Sequence, residues 1–108
     1  MREASKNFLQ KLLSAPGPSG YEGPVRDVWK EEVGNYADSV TTDIHGNAIA
    51  SLGSERLPRV MLAGHIDELG FQIIHIDEAG YLFFETIGGF DIGIVPGRKV
   101  RIHTKRGP

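Results

Sequence analysis

With 108 residues, 14 acidic and 12 basic side chains and a formal charge of -2, the chain suits one small domain and has no general electrostatic attraction to nucleic acid. Cysteine is absent, which excludes disulfide frameworks, thiolate metal sites and thiol nucleophiles together, so any metal must be held by His, Asp or Glu. No early basic-then-apolar segment resembles a signal peptide and no apolar run approaches the roughly 20 residues of a membrane span, so a soluble, cytoplasmic protein without a membrane partner is expected.

The first expected element is a helix, because Phe8, Leu9, Leu12 and Leu13 recur on one face and the pattern stops at Ser14-Ala15-Pro16. Pro16-Gly17-Pro18-Ser19-Gly20 cannot be helical, since proline withholds donors and restricts the residue before it. Ser19 and Glu22 have capping-box spacing for a second helix, although Pro24 fits best in a first turn and moves the start toward Glu22. Val25, Val28, Trp29 and Val33 give that helix its apolar stripe, and Gly34-Asn35 its stop.

From Asp38 the periodicity becomes that of strands. Ser39–Asp43 and Ala48–Leu52 flank the turn residues His45-Gly46-Asn47 and predict a hairpin or a two-strand edge. Val60-Met61-Leu62-Ala63 reads as a short strand buried on both faces. Phe71–Ile76 and Tyr81–Thr86 predict two further strands around an Asp77–Gly80 turn. Phe90–Val95 is ambiguous, and Arg98–Thr104 alternates Val100 and Ile102 with basic residues before a terminal turn signature.

Chemistry concentrates after the Val60–Ala63 run, where Gly64 is followed by His65, Ile66, Asp67 and Glu68. Ligands of open α/β sheets bind at the carboxyl ends of strands, and continued extension would put His65 and Asp67 on one face. Neutral imidazole with a carboxylate fixing its tautomer is the chemistry of a metal site. On spacing alone, a polar strand end facing water is the commoner meaning. Glu68 should point away from Asp67 and serve packing or a supporting contact. His75-x-Asp77 copies the spacing but sits at a hairpin turn, and His45 and His103 suit a turn and a sheet surface.

Four segments together carry more information than this pair. Ala15-Pro16-Gly17-Pro18-Ser19-Gly20-Tyr21-Glu22, Asp43-Ile44-His45-Gly46-Asn47, Gly64-His65-Ile66-Asp67-Glu68-Leu69-Gly70-Phe71 and Ile87-Gly88-Gly89-Phe90 occur in the order and approximate spacing of the tetrahedral (TET-type) metallo-aminopeptidases. The chain resembles the amino-terminal part of that family, which includes glutamyl and deblocking aminopeptidases and members labelled endoglucanase or cellulase.

The resemblance implies an α/β fold, the amino-terminal part of a doubly wound two-metal exopeptidase domain, followed by the start of an inserted β-rich dimerisation domain. Residues 1–69 would belong to the catalytic domain and 70–108 to the incomplete, β-barrel-like insert. His65 would ligate one metal ion, and Asp67 would be the catalytic-site carboxylate orienting it. Two divalent ions, zinc or cobalt, are implied, with only one protein ligand in this stretch; the other ligands and a catalytic glutamate lie beyond the insert in the family. Peptides would be substrates, and dimers would assemble into a dodecamer. The implied activity is hydrolysis of amino-terminal residues from peptides, with these 108 residues alone inactive.

Two other classes stay open. Another two-metal amidohydrolase, a carboxypeptidase or deacylase, would also use H-x-D, although here Leu69-Gly70-Phe71 leads straight into strand. A non-catalytic β-rich assembly module is the second. The basic tail from Arg98 to Arg106 could form a strand with one charged face for single-stranded nucleic acid, but edge protection by Lys and Arg is the simpler role.

Overall fold

The computed structural model describes residues 1–53 and 55–107. Helix α1 spans Glu3–Ser14 and helix α2 spans Gly23–Val33. Strands β1 (Ser39–Thr42) and β2 (Ala48–Ser51) form one antiparallel pair, and β3 (Gly70–Ile76) and β4 (Leu82–Ile87) a second, separate one. A short 3₁₀ turn covers Ile92–Ile94.

Both helices end where the sequence predicts, but the capping box does not form. Helix α2 begins after Glu22 with Pro24 in its first turn, and no side chain caps it. The Glu22 carboxylate instead accepts from the Gly20 amide at 2.7 Å, tightening the loop before the helix. At the other end the Asn35 side chain donates to the carbonyls of Glu31 and Glu32, each at 3.1 Å. Those carbonyls are among the groups a helix terminus leaves unpaired. Gly34 itself stays in the right-handed region, so the stop comes from the asparagine side chain and not from a left-handed glycine.

Helix α1 packs on α2, and α2 on β2. The centre of this small assembly is Val25, only 4% exposed, against which the 16–20 loop closes. A Cβ on Gly17 would lie 2.6 Å from Val25 Cγ1, and one on Gly70 would lie 2.6 Å from Pro18 Cβ. Glycine at these two positions therefore lets the loop touch both the helix and the start of β3.

The β1–β2 hairpin is organised by Asp43. Its Oδ1 accepts from the amides of His45 and Asn47, both at 2.9 Å, and its Oδ2 accepts from Asn47 Nδ2 at 2.8 Å. In the second hairpin Asp77 plays the same part, accepting from the amides of Ala79 and Tyr81. Strand β3 carries an irregularity between Ile73 and His75, with Ile73 opposite Phe84, His75 opposite Phe83 and Ile74 unpaired. This β-bulge puts Phe71, Ile73 and Phe84 on one face and moves His75 to the other. On the first face Phe71 meets Phe84 edge-on at 4.7 Å between ring centres and stacks on Phe90 at 4.9 Å.

Two expectations need correction. Residues 60–63 do not pair as a strand among the described residues, and Val60, Met61 and Leu62 are 80%, 87% and 94% exposed. A strand buried on both faces needs neighbouring strands and covering helices; here β2 stands across an open groove of about 1380 Å³ instead. Residues 98–103 likewise form no strand, so the tail presents no charged sheet face. Arg98 turns back to donate to the Ile94 carbonyl at 3.0 Å.

Candidate metal corner

The segment after Gly64 is fixed in space by the 16–20 loop, which sequence separation conceals. The Glu68 amide donates to the Gly17 carbonyl at 2.8 Å, and the Gly17 amide donates to Glu68 Oε1 at 2.9 Å. Pro18 and Glu68 form an isolated parallel bridge. These contacts set the register of the loop against residues 67–70. Glu68 thus supports loop and chain together, as expected of a carboxylate pointing away from the candidate ligand.

Within that frame Asp67 joins two partners. Its Oδ1 lies 2.9 Å from His65 Nδ1, and its Oδ2 accepts from the Ser19 hydroxyl at 2.5 Å. An ionised carboxylate only accepts, so Nδ1 carries the proton and a neutral ring presents its lone pair at Nε2. The Ser19 hydroxyl, and after it the His65 ring, hold the Asp67 carboxyl below the ordinary aspartate range. The His65 side chain is 86% exposed and that of Asp67 39% exposed, so the imidazole projects outward from a carboxylate held at its base. Both residues line the open groove beside β2.

The other histidines differ in this respect. His75 rests against Phe83, with ring centres 5.5 Å apart, while Asp77 is engaged by the turn amides. His103 lies 5.8 Å from the Tyr21 ring, and His45 sits in the Asp43 turn.

The donor chemistry of His65 fits one position of a divalent-cation site: neutral imidazole, oriented through its other nitrogen by a carboxylate. Among the described residues no group of three or more His, Asp or Glu side chains could hold a metal ion. The fit is therefore that of a single ligand. Sequence reasoning found His65 and Asp67 but missed Ser19, whose spacing to Glu22 resembles a cap; its partner is 48 positions away, beyond any local pattern.

Among the described residues no helix is long and apolar enough to cross a membrane. The profile of the M42 glutamyl aminopeptidases matches residues 46–108. A lysyl aminopeptidase of Pyrococcus furiosus is 37% identical over 101 residues, covering 93% of this chain and 29% of that relative. A TET aminopeptidase from a marine-sediment Thaumarchaeota archaeon superposes with a TM-score of 0.74 at 40% identity, over 82% of this chain and 25% of its own. A Thermotoga maritima protein described as an endoglucanase gives 0.81 at 36% identity, over 88% and 31%. The chain thus spans under one third of the length of the relatives it matches, and its mixed helices and strands follow the amino-terminal part of the TET aminopeptidase fold.

Proposed function

Since this chain belongs to the M42 glutamyl aminopeptidase family, we propose that the protein carrying it at its relatives' length is a metal-dependent aminopeptidase. Its activity would be hydrolysis of amino-terminal residues from peptides. The observation that carries this reading is the His65–Asp67 contact at 2.9 Å, which leaves Nε2 available as a ligand nitrogen. Relatives named lysyl and glutamyl aminopeptidase give it further support.

In this proposal His65 holds one of two divalent ions, zinc or cobalt, and Asp67 keeps its ring in the ligating tautomer. Ions bound there would polarise the scissile carbonyl and acidify a water nucleophile. Asp67 and Glu68 have separate duties, the first toward His65 and the second toward the loop. The remaining ligands and the general base would come from outside this chain, which by itself would be inactive.

Residues 1–69 are assigned to a doubly wound catalytic domain and 70–108 to the beginning of an inserted β-rich dimerisation domain. The two unconnected strand pairs support that division. The exposed apolar stretch 60–62 would be covered by neighbouring strands of the catalytic domain. Assembly of dimers into a dodecamer and a cytoplasmic location complete the proposal.

The test is a peptide panel given to the full-length protein. Release of amino-terminal residues from free-amine peptides and its loss with a chelator are expected. Release of carboxyl-terminal residues, or of acyl groups with every peptide bond left intact, would favour a carboxypeptidase or a deacylase and overturn the aminopeptidase reading.

A further inference from the structure

Ser19 is not an ordinary loop serine. Proline residues on the 16–18 segment limit its backbone, and the loop is fastened on both sides of Pro18. On one side the Gly17 amide and carbonyl are bonded to Glu68, at 2.9 Å and 2.8 Å. The Pro18 ring lies against Gly70, so closely that a Cβ there would lie 2.6 Å away. Helix α2 begins four residues after Ser19, which restrains the loop from its other end. Together these contacts bring the hydroxyl to Asp67 Oδ2 at 2.5 Å.

An aspartate carboxylate can turn about its last torsion, whose rotamer well is broad. His65 engages one oxygen, Oδ1, and that contact alone leaves the carboxylate free to tilt. The Ser19 hydroxyl engages the other oxygen, so the two bonds define the plane of the group. Charge-assisted hydrogen bonds of this kind are among the stronger ones. Because Glu68 carries the loop's own attachment, loss of the Ser19 hydroxyl would leave the loop in place.

We propose that Ser19 is a positioning residue for the metal corner: its hydroxyl fixes the Asp67 carboxylate plane and, through it, keeps His65 as the Nδ1–H tautomer with Nε2 free for a divalent cation. The metal half of this assignment rests on the aminopeptidase reading above; the tautomer half does not. Partners that orient a ligand in this way typically alter metal affinity by about 10-fold to 100-fold when removed.

The test compares Ser19→Ala with wild type in the full-length protein. A second pair, Ser19→Thr and Ser19→Val, differs in the hydroxyl at nearly equal volume. The first readout is the ¹⁵N shift pattern of the His65 ring without metal, which separates Nδ1–H from Nε2–H. The second is the affinity for Co²⁺ or Zn²⁺ added alone. Ala and Val should raise the Nε2–H population and weaken the metal by about 10-fold or more, whereas Thr should restore both. An unchanged tautomer in Ala and Val, in protein whose β3–β4 amide shifts match wild type, would overturn the proposal. A tautomer shift in protein whose wild type binds neither ion would support the role of Ser19 and remove the aminopeptidase reading.

Discussion

Gly17 faces Val25 with no room for a methyl group between them: a Cβ on the glycine would stand 2.6 Å from Val25 Cγ1. The most buried side chain among the described residues and the loop that holds Asp67 therefore share one contact. Gly17→Ala should overpack this contact and destabilise the protein by roughly 1–3 kcal/mol, read as a lower denaturant midpoint. Val25→Ala alone leaves a void, but in the Gly17→Ala background it should relieve part of the clash. A double-mutant cycle should then show favourable coupling; simple additivity would mean the loop and helix do not press on each other.

Glu68 should prove an anchor and not a base. Glu68→Ala strands the Gly17 amide, which is part-buried, at a cost of about 1 kcal/mol or more, and amide exchange at Gly17 should accelerate. Glu68→Gln keeps an acceptor oxygen and should largely restore protection. If both variants of the full-length enzyme lost turnover as completely as His65→Ala, a direct role in the chemistry would replace this one.

The two H-x-D sequences should separate cleanly in a metal assay. His65→Ala in the full-length protein is expected to lower metal occupancy and abolish peptide turnover, because no other side chain in the described stretch offers a similarly oriented imidazole. His75→Ala, on the opposite face of β3 from the phenylalanine cluster, should change neither. Equal loss of metal in both variants would mean that the spacing, and not the site, had been measured.

The first hairpin should weaken in acid. Asn47, chiefly through its side-chain amide and then through its backbone, holds the Asp43 carboxyl below the usual aspartate value, with the His45 amide adding to the effect. A carboxyl whose folded pKa is depressed stabilises fully above its unfolded pKa, about 3.9, and loses that contribution as pH falls through the lower folded value. Amide protection at His45 and Asn47 should therefore decline below about pH 4. In Asp43→Ala protection should be weaker at neutral pH and lose this acid-dependent step; retention of the step would assign it to another group.

Short-range chemistry made the helices, both hairpins and the Asp43 turn legible in the sequence. Apolar spacing marked Phe8 to Leu13 and Val25 to Val33, and β-branched or aromatic runs around turn residues marked the four strands. The same apolar content misled at Val60 to Ala63, since a run of hydrophobic residues records what a segment would bury and not whether its neighbours stand beside it. His65 and Asp67 were visible because they are two residues apart. Ser19 and Gly17 were not, because their partners lie 48 and 51 positions along the chain, and local patterns carry no sign of such a meeting.

The irregularity at Ile74 bears on how this ribbon tolerates changes in length. In a regular strand, removing one residue would exchange the two faces of everything beyond it. At Ile74 the count already runs one too many, with Ile73, His75 and Ile76 opposite Phe84, Phe83 and Leu82. Excising that isoleucine leaves those three pairings intact and yields an uninterrupted ladder. Because residues 73 and 74 are both isoleucine, loss of either gives the same shorter strand, which specifies the same two faces.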